Sequence, residues 1–104
     1  MNTLKRLEKT IAARRLASPK ESYIAKLNAK GLNKMAQKLG EEATETVIAA
    51  VSGSDKELVG ESADLLFHLL VLLAARGVSL DDVQAELELR EGTSGLAEKA
   101  SRKE

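Results

Sequence analysis

The fold of this chain is decided by the stretch Glu61-Ser62-Ala63-Asp64-Leu65-Leu66-Phe67-His68-Leu69-Leu70-Val71-Leu72-Leu73-Ala74-Ala75. From Leu65 to Ala75 every residue except His68 is apolar. A helix that is apolar around most of its circumference has to be surrounded by other helices. The stretch begins with two carboxylates, and a bare carboxylate beside such a core is costly unless something neutralises it. We therefore expect a central helix with an acidic site at its head.

Helix-capping and helix-breaking residues divide the chain into five helical segments. Thr3 caps the first, which runs to about Ala17 before Ser18-Pro19, and Gly31 closes a short second helix over 22–30. The third runs from Leu32 to Val51, and the capping box Ser54-Asp55-Lys56-Glu57 opens the fourth, which ends at Arg76 before Gly77. The fifth spans 80–90 behind Ser79. No segment alternates like a strand, so the predicted class is all-α.

The helices are too few to enclose the central one. With 104 residues there is room for one domain, and only three of the helices are substantial. We expect residues 1–92 to form a helical domain whose bundle is completed by homodimerisation. The charged, glycine- and serine-containing residues 93–104 are expected to form a mobile tail.

Composition excludes several kinds of chemistry. The chain has no cysteine, so disulfides, thiolate nucleophiles and cysteine-bound zinc are ruled out. The apolar run that ends at Ala75 is interrupted by His68 and is too short to span a bilayer, which predicts a cytoplasmic protein without a membrane partner. The basic residues have almost no aromatic neighbours for base stacking, which argues against nucleic acid.

Charge is distributed unevenly, although the net charge is zero. Residues 1–40 carry ten Lys or Arg against two Glu, whereas residues 41–98 carry three against thirteen acids. Lys26, Lys30, Lys34 and Lys38 recur every four residues and could hold phosphates if one helical face continued through Gly31. The alternative is that these are ordinary solvated faces. Ser22 and Tyr23 could add hydroxyl donors, or could serve as a cap and a half-buried packing residue.

Five carboxylates predict a cation site. Glu41, Glu42 and Glu45 lie on one flank of the third helix, and Glu61 and Asp64 lie on the fourth. The short turn over 52–54 makes these two helices antiparallel neighbours, so the acids would face each other. An all-oxygen site suits Mg²⁺ or Mn²⁺. The alternatives are a salt bridge from Asp64 to Lys38 and, for His68 on the same edge, a hydrogen-bonded core residue or a catalytic one.

These motifs resemble the phosphoribosyl-ATP pyrophosphatase family of the all-α nucleoside triphosphate pyrophosphohydrolases. The superfamily pattern E-x-x-E followed by E-x-x-D is present as Glu42, Glu45, Glu61 and Asp64. The narrower resemblance covers nearly the whole chain and includes Ser22-Tyr23, Ala25-Lys26-Leu27, Lys30-Gly31, Lys38-x-Gly40-Glu41-Glu42-Ala43-Thr44-Glu45, Asp64-Leu65-Leu66-Phe67-His68, Arg76-Gly77, Arg90-Glu91-Gly92 and Ser94-Gly95-Leu96-x-Glu98-Lys99-Ala100.

The resemblance implies hydrolysis of 1-(5-phosphoribosyl)-ATP to 1-(5-phosphoribosyl)-AMP and pyrophosphate, the second step of histidine biosynthesis. It implies Mg²⁺, or Mn²⁺ in its place, held by Glu42, Glu45, Glu61 and Asp64. Glu41 or Glu45 would activate water, and the substrate would contact Ser22, Tyr23, Lys26, Lys30 and Lys38. Two rival hypotheses are a pyrophosphohydrolase that acts on deoxynucleotides or damaged nucleotides and a helical dimerisation module with surface acids.

Overall fold

The computed structural model describes residues 2–92, and all regular structure in this range is helical. The five helices are α1 (Thr3–Arg14), α2 (Tyr23–Lys30), α3 (Leu32–Ser52), α4 (Asp55–Arg76) and α5 (Leu80–Arg90). No β-strand occurs between residues 2 and 92, so the predicted all-α class is confirmed. The expected mobile tail, 93–104, lies outside the described residues.

The ends of α4 show why its bounds could be predicted. The Ser54 hydroxyl accepts a hydrogen bond from the Glu57 backbone N–H at 3.1 Å, and Glu57 Oε1 accepts one from the Ser54 N–H at 3.2 Å. This reciprocal pair satisfies two donors that the first helical turn leaves free. At the other end Gly77 has φ 70°, the left-handed conformation that glycine adopts without strain.

The predictions for α1 and for the lysine series need correction. Asn2, rather than Thr3, caps α1, because its side chain accepts from the Lys5 N–H at 2.9 Å. The helix ends at Arg14 instead of Ala17, where the chain tightens into a turn ahead of the proline that disfavours helical geometry before it. Gly31 has φ 94° and separates α2 from α3. The four lysines therefore do not share one continuous helical face.

The core lies where α1, α2 and α3 meet the second half of α4. Its buried apolar members are Ile11, Ile24, Leu27, Met35, Leu70, Val71 and Leu80. The antiparallel α3 and α4 form the most extensive helix pair. Just beyond the C-terminal end of α4, the Glu8 carboxylate accepts a hydrogen bond from the Leu80 N–H at 2.7 Å, which connects the start of α5 to α1.

A broad apolar surface on α3 and α4 is left uncovered within the described chain. Val47, Val51 and Val59 are 62%, 82% and 69% exposed. By length and composition α4 could cross a bilayer, although the core helix of a soluble protein has the same properties. The sequence argument assumed that the apolar run is too short to span a bilayer. Length alone therefore does not exclude a membrane. Only 17% of the most apolar window of α4 is buried by the described residues.

Candidate metal and nucleotide site

Three carboxylates converge between the middle of α3 and the first half of α4. Glu42 and Glu45 project from successive turns of α3, and Glu61 faces them from α4. One carboxylate oxygen from each residue lies within 4.8 Å of those from the other two. The antiparallel turn that precedes α4 produces this meeting, as the sequence predicted.

A threonine holds the two helices together at this point. The Thr46 hydroxyl lies 2.8 Å from the Glu42 carbonyl oxygen and 3.2 Å from the Glu61 carbonyl oxygen. Its single proton is shared between the two carbonyls, one on each helix. Thr46 therefore fixes the backbone separation between two of the clustered acids, a role that its position in the sequence did not suggest.

The electrostatics of the cluster favour a bound cation. Burial, followed by the negative charge of Glu45, raises the pKa of Glu42. A hydrogen bond shared with Glu45, followed by burial, raises the pKa of Glu61. Glu42 Oε2 and Glu61 Oε2 are buried and have no hydrogen-bond partner among the described residues. Since buried polar atoms are normally paired, these two oxygens fit a cation that would coordinate them.

Asp64 lies at the exposed edge of the cluster. It is outside the close group of three, but its negative charge contributes to the raised pKa values of both Glu42 and Glu61. The ion pairs of Lys38 are with Glu41 at 3.7 Å and Glu42 at 3.9 Å. The alternative in which Asp64 is neutralised by Lys38 therefore does not match the structure.

Glu41 also lies outside the three-carboxylate group. Its carboxylate is exposed and accepts a hydrogen bond from Gln37 Nε2 at 3.1 Å. That hydrogen bond lowers the pKa of Glu41, which makes it a weaker base.

The other predicted contacts are spread along α2. Ser22 is its N-cap, with Oγ accepting from the Ala25 N–H at 3.2 Å, so the capping alternative is confirmed. Lys26 and Lys30 are exposed on this helix. Beside the acids, an open cleft of about 220 Å³ is lined by Glu45, Glu61, Ile48, Ala49, Ser52, Gly53 and Glu57. It gives the carboxylates access from solvent.

An aromatic group behind Asp64 connects the site to α2. His68 is 6% exposed, and its Nδ1 lies 2.9 Å from the Asp64 carbonyl oxygen. Its Nε2 lies 3.4 Å from the Tyr23 hydroxyl, and the Tyr23 ring stacks on Phe67 with centroids 6.1 Å apart. The interpretation of His68 as a hydrogen-bonded core residue is confirmed. Its bond to Tyr23 was missed, because no local sequence signal relates residues 45 positions apart.

The antiparallel helix pair and its clustered acids are the arrangement expected for an all-α nucleoside triphosphate pyrophosphohydrolase. The family model described as phosphoribosyl-ATP pyrophosphohydrolase matches residues 4–91. The chain belongs to this family. As a member it is a hydrolase that acts on the phosphoanhydride of phosphoribosyl-ATP in histidine biosynthesis, which confirms the resemblance found in the sequence.

Curated relatives agree over almost their full lengths. A phosphoribosyl-ATP pyrophosphatase of Erythrobacter litoralis is 76% identical over 102 residues, which cover 98% of this chain and 98% of that protein. One from Novosphingobium aromaticivorans is 70% identical over 99 residues, covering 95% and 92%. One from Rhizorhabdus wittichii is 67% identical over 100 residues, covering 96% and 94%.

Proposed function

We propose that the reaction of this family takes place at the acidic cluster and requires Mg²⁺. The products would be 1-(5-phosphoribosyl)-AMP and pyrophosphate, and the ligands Glu42, Glu45, Glu61 and Asp64. The observation that carries the proposal is the pair of buried, unpartnered oxygens on Glu42 and Glu61. Mn²⁺ has a similar preference for oxygen and could replace Mg²⁺.

The metal would neutralise charge on the phosphate oxygens as the phosphoanhydride breaks. The chain itself has to orient a water molecule and accept its proton. Glu45 is the better placed base, because its carboxylate interacts with those of both Glu42 and Glu61 and it lines the open cleft. Glu41, with its lowered pKa, would orient the water from the exposed side.

Basic and hydroxyl groups on α2 and α3 would hold the rest of the nucleotide. Lys38 already contacts Glu41 and Glu42, so it can reach a phosphate at the edge of the acidic cluster. Lys26 and Lys30 are exposed and would bind phosphates farther away. Ser22 uses an oxygen lone pair for its cap, which leaves its O–H free to donate to the substrate.

The test of this function compares substrates and acids. We expect Mg²⁺-dependent pyrophosphate release from phosphoribosyl-ATP to exceed release from a panel of dNTPs. Glu45→Gln should abolish most of this turnover, whereas Glu88→Gln, which removes an exposed carboxylate on α5, should keep it. Comparable catalytic efficiency on dNTPs would favour the rival nucleotide pyrophosphohydrolase. Activity without any divalent metal would contradict the role of the cluster.

The uncovered face of α3 and α4 is proposed to bind a second copy of the chain. A bilayer is a poorer partner, because α4 carries Glu61 and Asp64 and charged side chains are costly in hydrocarbon. Covering Val47, Val51 and Val59 with the same surface of another chain would complete the bundle around α4. The proposed location of this homodimer is the cytoplasm.

Sedimentation of Val51→Lys tests the homodimer. Val51 is 82% exposed in the single chain, so a charge there would cost little unless another chain covers it. We expect the parent chain to sediment as a dimer at micromolar concentration and Val51→Lys to dissociate. Leu16→Lys, at a site 80% exposed beyond the end of α1, is the matched control. A folded monomer for the parent chain would refute the proposal.

A further inference from the structure

Two hydrogen bonds lead from the acidic site to Tyr23, a half-exposed residue. The Asp64 carbonyl contacts His68 Nδ1 at 2.9 Å, and His68 Nε2 contacts Tyr23 Oη at 3.4 Å. His68 is buried, but Tyr23 is 53% exposed. Tyr23 as a residue can therefore meet a ligand, while its hydroxyl contacts His68 on the inner side.

The direction of both bonds follows from the first one when the imidazole is neutral. A backbone carbonyl only accepts, so the imidazole must carry its proton on Nδ1. In the neutral ring Nε2 is then an acceptor, and the Tyr23 hydroxyl has to donate to it. This uses the only proton of the phenol, so Tyr23 Oη has only lone pairs left to offer.

The surroundings keep the two rings in this relation. Tyr23 and His68 meet edge to face, with centroids 6.3 Å apart and planes at 84°. Phe67 stacks on Tyr23 and packs edge to face against His68 with centroids 5.1 Å apart. The Tyr23 ring is therefore held from two sides, which keeps its oxygen beside His68 Nε2.

We propose that Tyr23 Oη accepts a hydrogen bond from an O–H or N–H group of the bound nucleotide, and that His68 is the positioning residue that sets this direction. Ionised phosphate oxygens only accept, so Tyr23 would not be a phosphate ligand. The ligand group is a sugar hydroxyl or the exocyclic nitrogen of the base. This replaces the sequence-based expectation of a hydroxyl donor at Tyr23, and only the identity of the ligand rests on the proposed function.

The single histidine and single tyrosine of the chain allow a direct test. In the untagged protein labelled with ¹⁵N-histidine, NMR at pH 8 should show Nδ1 protonated and Nε2 unprotonated. Tyr23→Phe should shift the Nε2 signal and leave Nδ1 protonated. A proton on Nε2, alone or together with one on Nδ1, would overturn the proposal. This readout needs no substrate, so it stays separate from any failure of the proposed reaction.

Product inhibition tests the ligand side. We expect Tyr23→Phe to weaken inhibition by 1-(5-phosphoribosyl)-AMP about two- to tenfold, the range for one neutral hydrogen bond. Inhibition by magnesium pyrophosphate should not change. The opposite pattern, with pyrophosphate weakened and the nucleotide unaffected, would show that Tyr23 binds phosphate and would refute the proposal. So would unchanged inhibition by both products.

Further variants and inhibitors separate position from identity. His68→Gln replaces the Nε2 acceptor with a carbonyl oxygen that can accept from Tyr23, so it should bind the nucleotide product better than His68→Leu does. Equal binding by two folded variants would contradict the positioning role. AMP, 2′-deoxy-AMP and IMP can be compared as inhibitors. The effect of Tyr23→Phe should vanish for 2′-deoxy-AMP if the donor is the 2′-hydroxyl, and for IMP if the donor is the exocyclic nitrogen. An effect that persists on all three places the donor on another sugar hydroxyl, which still supports the acceptor role.

Discussion

Replacing Glu42 by glutamine should stabilise the metal-free protein and abolish its response to Mg²⁺. Glu42 is 8% exposed, and its Oε2 has no partner in the described chain. Glutamine has nearly the same shape but carries no charge. It therefore removes the repulsion with Glu45 and Glu61 without leaving a cavity, and its amide can donate to the remaining carboxylates.

The size of the effect follows from the separation of the carboxylates. Their oxygens lie within 4.8 Å of one another. Coulomb's law at this distance gives about 1 kcal/mol per pair with the screening of water and about 3 kcal/mol with that of a protein surface. Glu42→Gln removes two such repulsive pairs, but it also removes the ion pair of Glu42 with Lys38, which offsets about one of them. We therefore expect the free energy of unfolding of the metal-free protein to rise by about 1 to 3 kcal/mol. The parent chain should instead gain about 3 kcal/mol from Mg²⁺ at a hundred times its Kd.

Thermal unfolding at one fixed protein concentration measures both quantities, because a dimer would otherwise make Tm depend on concentration. The metal-free variant should melt several degrees above the parent chain, and adding Mg²⁺ should move only the parent. Glu88→Gln removes a charge from the exposed surface of α5 and should show neither effect. A metal-free Glu42→Gln protein that melts lower, or one that keeps the full Mg²⁺ shift, would refute the reasoning.

Three further outcomes follow from the site. Because the pKa values of Glu42 and Glu61 are raised, the folded protein holds more protons than the unfolded chain above the ordinary carboxyl pKa of 4.5. Metal-free stability in urea should therefore fall as pH rises from 4.5 toward the raised values, and stability that increases through this window would contradict the assignment. Lys26→Ala and Lys30→Ala should each lower kcat/KM on phosphoribosyl-ATP about ten- to a hundredfold more than on ATP, since charge-assisted contacts are strong; equal losses would place the phosphoribosyl subsite elsewhere. Thr46→Val should weaken Mg²⁺ binding in calorimetry about two- to tenfold, whereas Thr44→Val, which loses a bond only to Gly40 on the same helix, should not; equal affinities would show that the Thr46 bridge is unimportant.

The helix pattern could be predicted closely because helix ends are local. Ser54 and Ser79 make their capping bonds to residues three positions away, and Gly77 adopts its left-handed conformation where the sequence predicted it. The error at the end of α1 has a local cause as well. Proline at 19 disfavours helical geometry at Ser18, but the propensities of the preceding residues do not show how far back the chain will unwind.

The site was predictable only in part. The i,i+3 spacing placed Glu42 and Glu45 on one flank of α3, and the short turn brought Glu61 opposite them. The edge position of Asp64, the Thr46 bridge and the bond from His68 to Tyr23 depend on how each helix is rotated about its axis. That rotation is set by packing across the whole core. Sequence periodicity shows which face of a helix is apolar, but it does not fix the rotation closely enough to say which side chains touch.

The acidic cluster shows why the two helices need a connection of their own. Three carboxylates in close reach repel one another, and in the absence of a cation this repulsion pushes α3 and α4 apart. The core that resists it lies toward the other half of α4, around Leu70 and Val71. Thr46 acts at the cluster itself, since its hydroxyl contacts the carbonyls of Glu42 and Glu61. The backbone spacing of these two acids is therefore fixed before a cation arrives, so binding does not have to draw the helices together.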